Sequence, residues 1–106
     1  KRLPGKNKIE VSRITVSDIA NGVINSDLTK KSYLEQTDEL EESIVKENDI
    51  IVSIVLSVGK IATVTKEHDG SHVGSEFLII RPDSNKDKEY FLTILNSQIV
   101  QKQLKQ

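Results

Sequence analysis

Apolar positions fall into short, β-branched runs separated by polar turns, a pattern that predicts strands first and helices only near the end of the chain. Ile9, Val11, Ile14, Thr15 and Val16 predict a strand that stops at the polar pair Ser17-Asp18. Asn21-Gly22 marks a turn before Val23-Ile24. From Glu35 to Asp49 acidic residues crowd around only three apolar anchors, Leu40, Ile44 and Val45, which predicts a loop or a short exposed helix. The run Ile50 to Leu56 is almost continuously β-branched over the length of a strand, so it reads as a central strand covered on both faces, and as the core. Ser57 to Lys60 then turns the chain, and Ile61 to Val64 returns as the second arm of an antiparallel hairpin, with Gly59 relieving the bend. A second turn at His68 to Ser71 leads to a strand over Phe77 to Ile80, which Arg81-Pro82 must end. The polar residues from Asp83 to Asp87 read as a loop. Phe91, Ile94 and Leu95 recur at the spacing of one buried helical face, with Ser84 or Asp87 as cap. Asn96-Ser97 breaks that helix and recaps a second, on which Ile99, Val100 and Leu104 share a face. Strands followed by helices predict an α+β domain with a mixed or antiparallel sheet core and a C-terminal helix or helices.

A length of 106 residues suits one such domain. We expect residues 1–8 to form a basic linker or N-terminal arm, residues 9–97 the domain, and residues 98–106 the start of a spacer-like C-terminal helix. From the absence of methionine even at position 1, and an end inside a polar helical pattern, we expect the chain to be a piece of a longer one. No apolar run approaches the roughly 20 residues that cross a bilayer, and no secretory leader is visible, so a cytoplasmic address is expected. With no cysteine, disulfides and thiolate metal sites are excluded. Fifteen basic residues against 16 acidic ones give a formal charge of −1, so any contact with a polyanion must be local.

Few residues carry obvious chemistry. His68, Asp69 and His72 have metal-ligating side chains, but Gly70 and Ser71 place them in a turn, without further ligands nearby. Ser71 and Ser75 lie near those histidines, yet no nucleophile-elbow pattern surrounds either serine. Gly59-Lys60 lacks the upstream glycines and following hydroxyl of a phosphate loop. Four aromatic residues, two of them read as core, are too few for a single-strand stacking platform. Polar side chains in the turns remain: Lys30, Lys31, Ser57, Lys60, Ser71, His72, Ser75, Arg81 and the stretch from Asn85 to Lys88. Such residues donate to phosphates or read base edges in DNA complexes, although solvated turns have the same composition.

Five segments in order resemble the target recognition domain of type I restriction-modification specificity subunits. They are Ile14 to Ile24, Val45 to Ser53, Val58 to Val64, Phe77 to Pro82, and Tyr90 to Ser97 with its Leu-x-Ser ending at Leu95-Asn96-Ser97. Asn48-Asp49 stands where the family usually has Gly-Asp, and Asn tolerates the same left-handed backbone. The resemblance implies a non-catalytic module, with no cofactor or metal of its own, that recognises one half of a split double-stranded DNA target. Its implied partners are a DNA methyltransferase (modification) subunit and a restriction subunit, which methylate adenine or cleave. On this reading Lys30, Lys31, Ser57, Lys60, Ser71, His72, Ser75 and Arg81 are the DNA-binding candidates, and Lys30, Lys31, Lys60 and Arg81 form a basic face. Replacing Lys60 or Arg81 with Ala is then expected to weaken DNA binding without unfolding the domain. The competing expectations are a protein-interaction or assembly module and, ranked last, a small metal enzyme or hydrolase using His68, Asp69 and His72.

Overall fold

The computed structural model describes residues 8–55 and 57–104. The basic lead-in at Lys1, Arg2 and Lys6, and Leu56 at the end of the expected central strand, lie outside the described residues, as does the side chain of Ile99. The order is β1 (Lys8–Ile14), β2 (Ile19–Ala20), β3 (Val23–Ile24), β4 (Lys31–Glu35), α1 (Asp38–Glu42), β5 (Ile50–Ser53), β6 (Ile61–Thr63), β7 (His72–Val73), β8 (Phe77–Ile80), α2 (Asn85–Leu95) and α3 (Gln98–Leu104). Single 3-10 turns at Val16–Asp18 and Lys66–His68 complete it. The class is α+β, but the expected sheet is divided into three small ones: β4-β1-β7, the hairpin β2-β3, and β6-β5-β8. Pairing is antiparallel except between β1 and β7.

The central β5 is buried along its whole length, as its apolar run requires. Alternation sends Ile51 into one core cluster with Ile14, Val16, Val45, Val64, Val73 and Phe77, while Ile50 and Val52 enter a second with Ile61. Two cores on opposite faces of one strand explain why its sequence does not alternate. Beyond Ser53 the strand ends earlier than expected, and Ile54 and Val55 are exposed. The turns follow from their residues: Asn21 (φ 54°) and Gly22 (φ 77°) form the two-residue loop of the β2-β3 hairpin, the left-handed pair that matches strand twist. Asn48 takes φ 76° immediately before the buried Asp49, the conformation anticipated at this Gly-like position.

Four expectations change. Lys31 lies in β4 rather than a turn, because Lys31–Glu35 pairs with β1 from Lys8↔Glu35 to Ser12↔Lys31. His72 also lies in a strand: Arg13↔His72 pairs β7 with β1, and Ile44 bridges it on the other side. Helix α2 starts at Asn85, inside the expected loop, with the Ser84 hydroxyl accepting the Asp87 N–H at 3.1 Å. It packs through Leu92 and Leu95, joined by Leu104 of α3, onto Ile80 and the second core cluster. Phe91 and Ile94 are more than a third exposed and Tyr90 more so, so of the expected face only Leu95 packs inward, and Phe77 is the one aromatic buried among the described residues. Leu92 takes the place of Phe91 and Ile94 because Leu92 and Leu95 form an equally good i, i+3 pair, with Leu95 common to both stripes. Leu92→Ala is therefore expected to cost about 1 kcal/mol and Phe91→Ala less than about 0.5 kcal/mol in urea unfolding. No helix among the described residues is long and apolar enough to cross a membrane.

Candidate nucleic-acid interface

The 3-10 turn after β1 is where cations gather. Lys30 sends its ammonium to the Thr15 hydroxyl at 2.9 Å and to Asp18 Oδ1 at 2.8 Å. The Asp18 carboxylate folds back to accept the Thr15 N–H and hydroxyl through Oδ2, at 2.8 and 3.0 Å. Lys60, from the β5-β6 turn, reaches the Val16 carbonyl at 3.5 Å. Lys30 and Lys60 thus share a surface with the Thr15 and Ser17 hydroxyls, which are 3.0 Å apart, and with the Asp18 carboxylate, close enough to Asp27 for the two negative charges to interact. Lys31, the neighbour of Lys30, donates to the Ser12 hydroxyl at 3.1 Å on the β1-β4 sheet.

Burial pushes the Asp18 pKa up, but the Lys30 hydrogen bond and the donations from Thr15 outweigh it and hold the carboxyl below its ordinary value of 3.8. Its stabilising contribution is present in full above that value and is lost as pH falls through the lower folded one. Acid unfolding followed by circular dichroism should show stability falling below about pH 4, less steeply in Asp18→Asn.

The turn that presents Lys60 is held from inside. Ser53 is fully buried; its hydroxyl donates to the Ser57 carbonyl and accepts the Lys60 N–H at 2.9 Å. Gly59 (φ 92°) donates its N–H to the Ser53 carbonyl at 2.8 Å, and Gln101 of α3 caps the Gly59 carbonyl at 3.2 Å. Ser53 lies inside the run Ile50 to Leu56, which the sequence reads as core, and is not among the candidate residues. A hydroxyl inside an otherwise buried strand beside a Gly turn was the available signal.

The other candidates lie elsewhere. Arg81 makes a bidentate pair with Asp49, Nε to Oδ1 at 2.9 Å and a terminal nitrogen to Oδ2 at 2.8 Å, and also reaches the Ile44 carbonyl at 3.4 Å. Asp49 is 1% exposed and additionally accepts the Lys46 N–H at 2.8 Å, so Arg81 holds a buried carboxylate and its pKa is raised by that partner. The expectation that Arg81→Ala leaves the fold intact is therefore corrected. Arg81 lines a groove with Ile9 at the start of β1, whereas Lys30 meets the chain at Thr15; the four expected cations do not form one face. Ser71 is buried, with its carbonyl accepting the Val45 N–H, and is not available to a ligand. His72 and Ser75 line a second groove whose rim carries Glu39 and Glu42, a wall of the wrong sign for phosphate.

No group of three metal-ligating side chains occurs among the described residues. His68 is buried and committed to the structure, with Nε2 3.1 Å from the Ser26 carbonyl and Nδ1 3.5 Å from the Thr65 hydroxyl. His72 Nδ1 is buried without a hydrogen-bond partner among the described residues. Burial chiefly lowers the His72 pKa below 6.5, with Arg13 acting the same way and Glu76 opposing. The ring is accordingly neutral when folded at pH 7, and stability contributed by that neutrality is lost as pH falls below about 6.5. An NMR titration of the two histidines should place the His72 midpoint below 6.5.

No protein-family model matches the chain, and no curated protein matches it.

Proposed function

We propose that this domain is the sequence-specific, double-stranded DNA recognition module of a cytoplasmic restriction-modification complex, in the manner of a type I specificity subunit, and is itself non-catalytic. Methylation of adenine and cleavage belong to the partner subunits. The observation that carries the reading is the meeting of two of the resembling segments, Ile14 to Ile24 and Val58 to Val64, at the Lys30-Lys60 surface. Hydroxyl and ammonium donors on turns beside a small sheet are suited to phosphates and to major-groove acceptors. The near-neutral charge of the chain fits a local contact, in which few counterions are released.

Lys60 is the decisive position, because among the described residues its ammonium makes one long hydrogen bond whereas Lys30 neutralises a buried carboxylate. Lys60→Ala is expected to weaken binding to duplex DNA about tenfold at low salt and to reduce the salt slope by about one, with an unchanged unfolding midpoint. Equal affinity of Lys60→Ala and the parent would remove Lys60 from the interface.

A second reading, an assembly module, is favoured by the exposed Tyr90, Phe91 and Ile94 of α2. Subunit binding that is insensitive to salt and lost in Phe91→Ala would support it over DNA readout.

A further inference from the structure

The edges of the small sheets are protected unequally. Strand β4 carries Lys31 and Glu35 at its ends, charges of the kind that discourage pairing with another chain. Strand β8 reads Phe-Leu-Ile-Ile and carries none, and Leu78 is half exposed. The ladder with β5 runs from Ile50↔Ile80 to Ser53↔Phe77, and the Ile54 N–H donates to the Glu76 carbonyl in the same register at 2.8 Å. Hydrogen bonding alternates along an antiparallel pair, so Leu78 and Ile80 face β5 while the Ile79 N–H and carbonyl point the other way. No described strand pairs with that outer edge. It opens instead onto a groove of about 440 Å³ between β8, residues 72–75 and the end of α1. The ionisable groups on its walls are Glu39, Glu42 and the His72 ring, which is neutral at pH 7.

We propose that the outer edge of β8 is a docking site for an extended segment of a partner protein, added as a strand and carrying lysine or arginine at alternate positions. Main-chain bonds to Ile79 supply the attachment, as in other strand-addition complexes. Apolar side chains of the guest cover Leu78, and its cations meet Glu39 and Glu42. The site shares no residue with the Lys30-Lys60 surface.

The test uses this chain and two short capped peptides, one alternating valine with lysine, the other valine with glutamate. Hydrogen exchange of the Ile79 amide, read by NMR, is expected to slow about fivefold or more with the lysine peptide only, a margin appropriate to two exposed ion pairs. The exposed double substitution Glu39→Lys/Glu42→Lys should transfer the preference to the glutamate peptide. Equal protection by both peptides, or protection by neither, would overturn the proposal. Slow Ile79 exchange that depends on protein concentration without peptide would assign the edge to a second copy and overturn it equally.

Discussion

Arg81→Ala should destabilise the domain by about 3 kcal/mol, a large share of the 5–15 kcal/mol typical of a folded domain. Two charge-assisted bonds disappear, but the greater cost is the carboxylate left behind, since Asp49 is 1% exposed and among the described residues keeps only the Lys46 N–H. The figure lies at the low end for a broken buried pair because the Arg81 side chain is itself 52% exposed, and water can reach part of the site. Adding Asp49→Asn removes the stranded charge, so the double variant should be more stable than Arg81→Ala alone. Urea unfolding of the two single variants and the double variant checks this; a double variant at the sum of the single losses would mean that the pair contributes nothing as a pair. A fall in DNA affinity in Arg81→Ala would report unfolding unless the folded fraction is measured alongside.

Ser53→Ala should cost about 2 kcal/mol, the expense of leaving the Lys60 N–H and the Ser57 carbonyl without their buried partner. The loss is local as well as global: the amide of Lys60 should exchange faster, and DNA affinity should fall because Lys60 is no longer held beside Val16. This second effect separates Ser53 from an ordinary core position such as Ile51, whose truncation lowers stability without moving the turn. A change under about 0.5 kcal/mol would show that the turn closes without the hydroxyl.

Local chemistry made much of the fold legible. The doubly covered β5, the left-handed Asn21-Gly22 and Asn48, the bend at Gly59, the stop at Arg81-Pro82 and the Ser84 cap each follow from a few adjacent residues. Long-range pairing was not legible. Residues Lys31–Glu35 have no strong strand signal of their own and become a strand through β1, while the two-residue β7 exists only between β1 and Ile44. The candidate site shows the same division. That turns carry the polar donors is visible in the sequence, but Arg81 and Asp49 are separated by 32 positions and Lys30 and Asp18 by 12, so nothing local shows that these cations are committed. The placement of Lys60 beside Val16, 44 positions away, is equally a product of the fold.

The most direct measurement is selection of this chain's ligands from a pool of randomised duplex DNA across a salt series, with sequencing of what is retained at each step. Enrichment of a short motif, with affinity that falls steeply as salt rises and falls further in Lys60→Ala, is the expected result. A folded domain that retains no duplex at low salt, or retains all sequences equally, would contradict sequence-specific recognition.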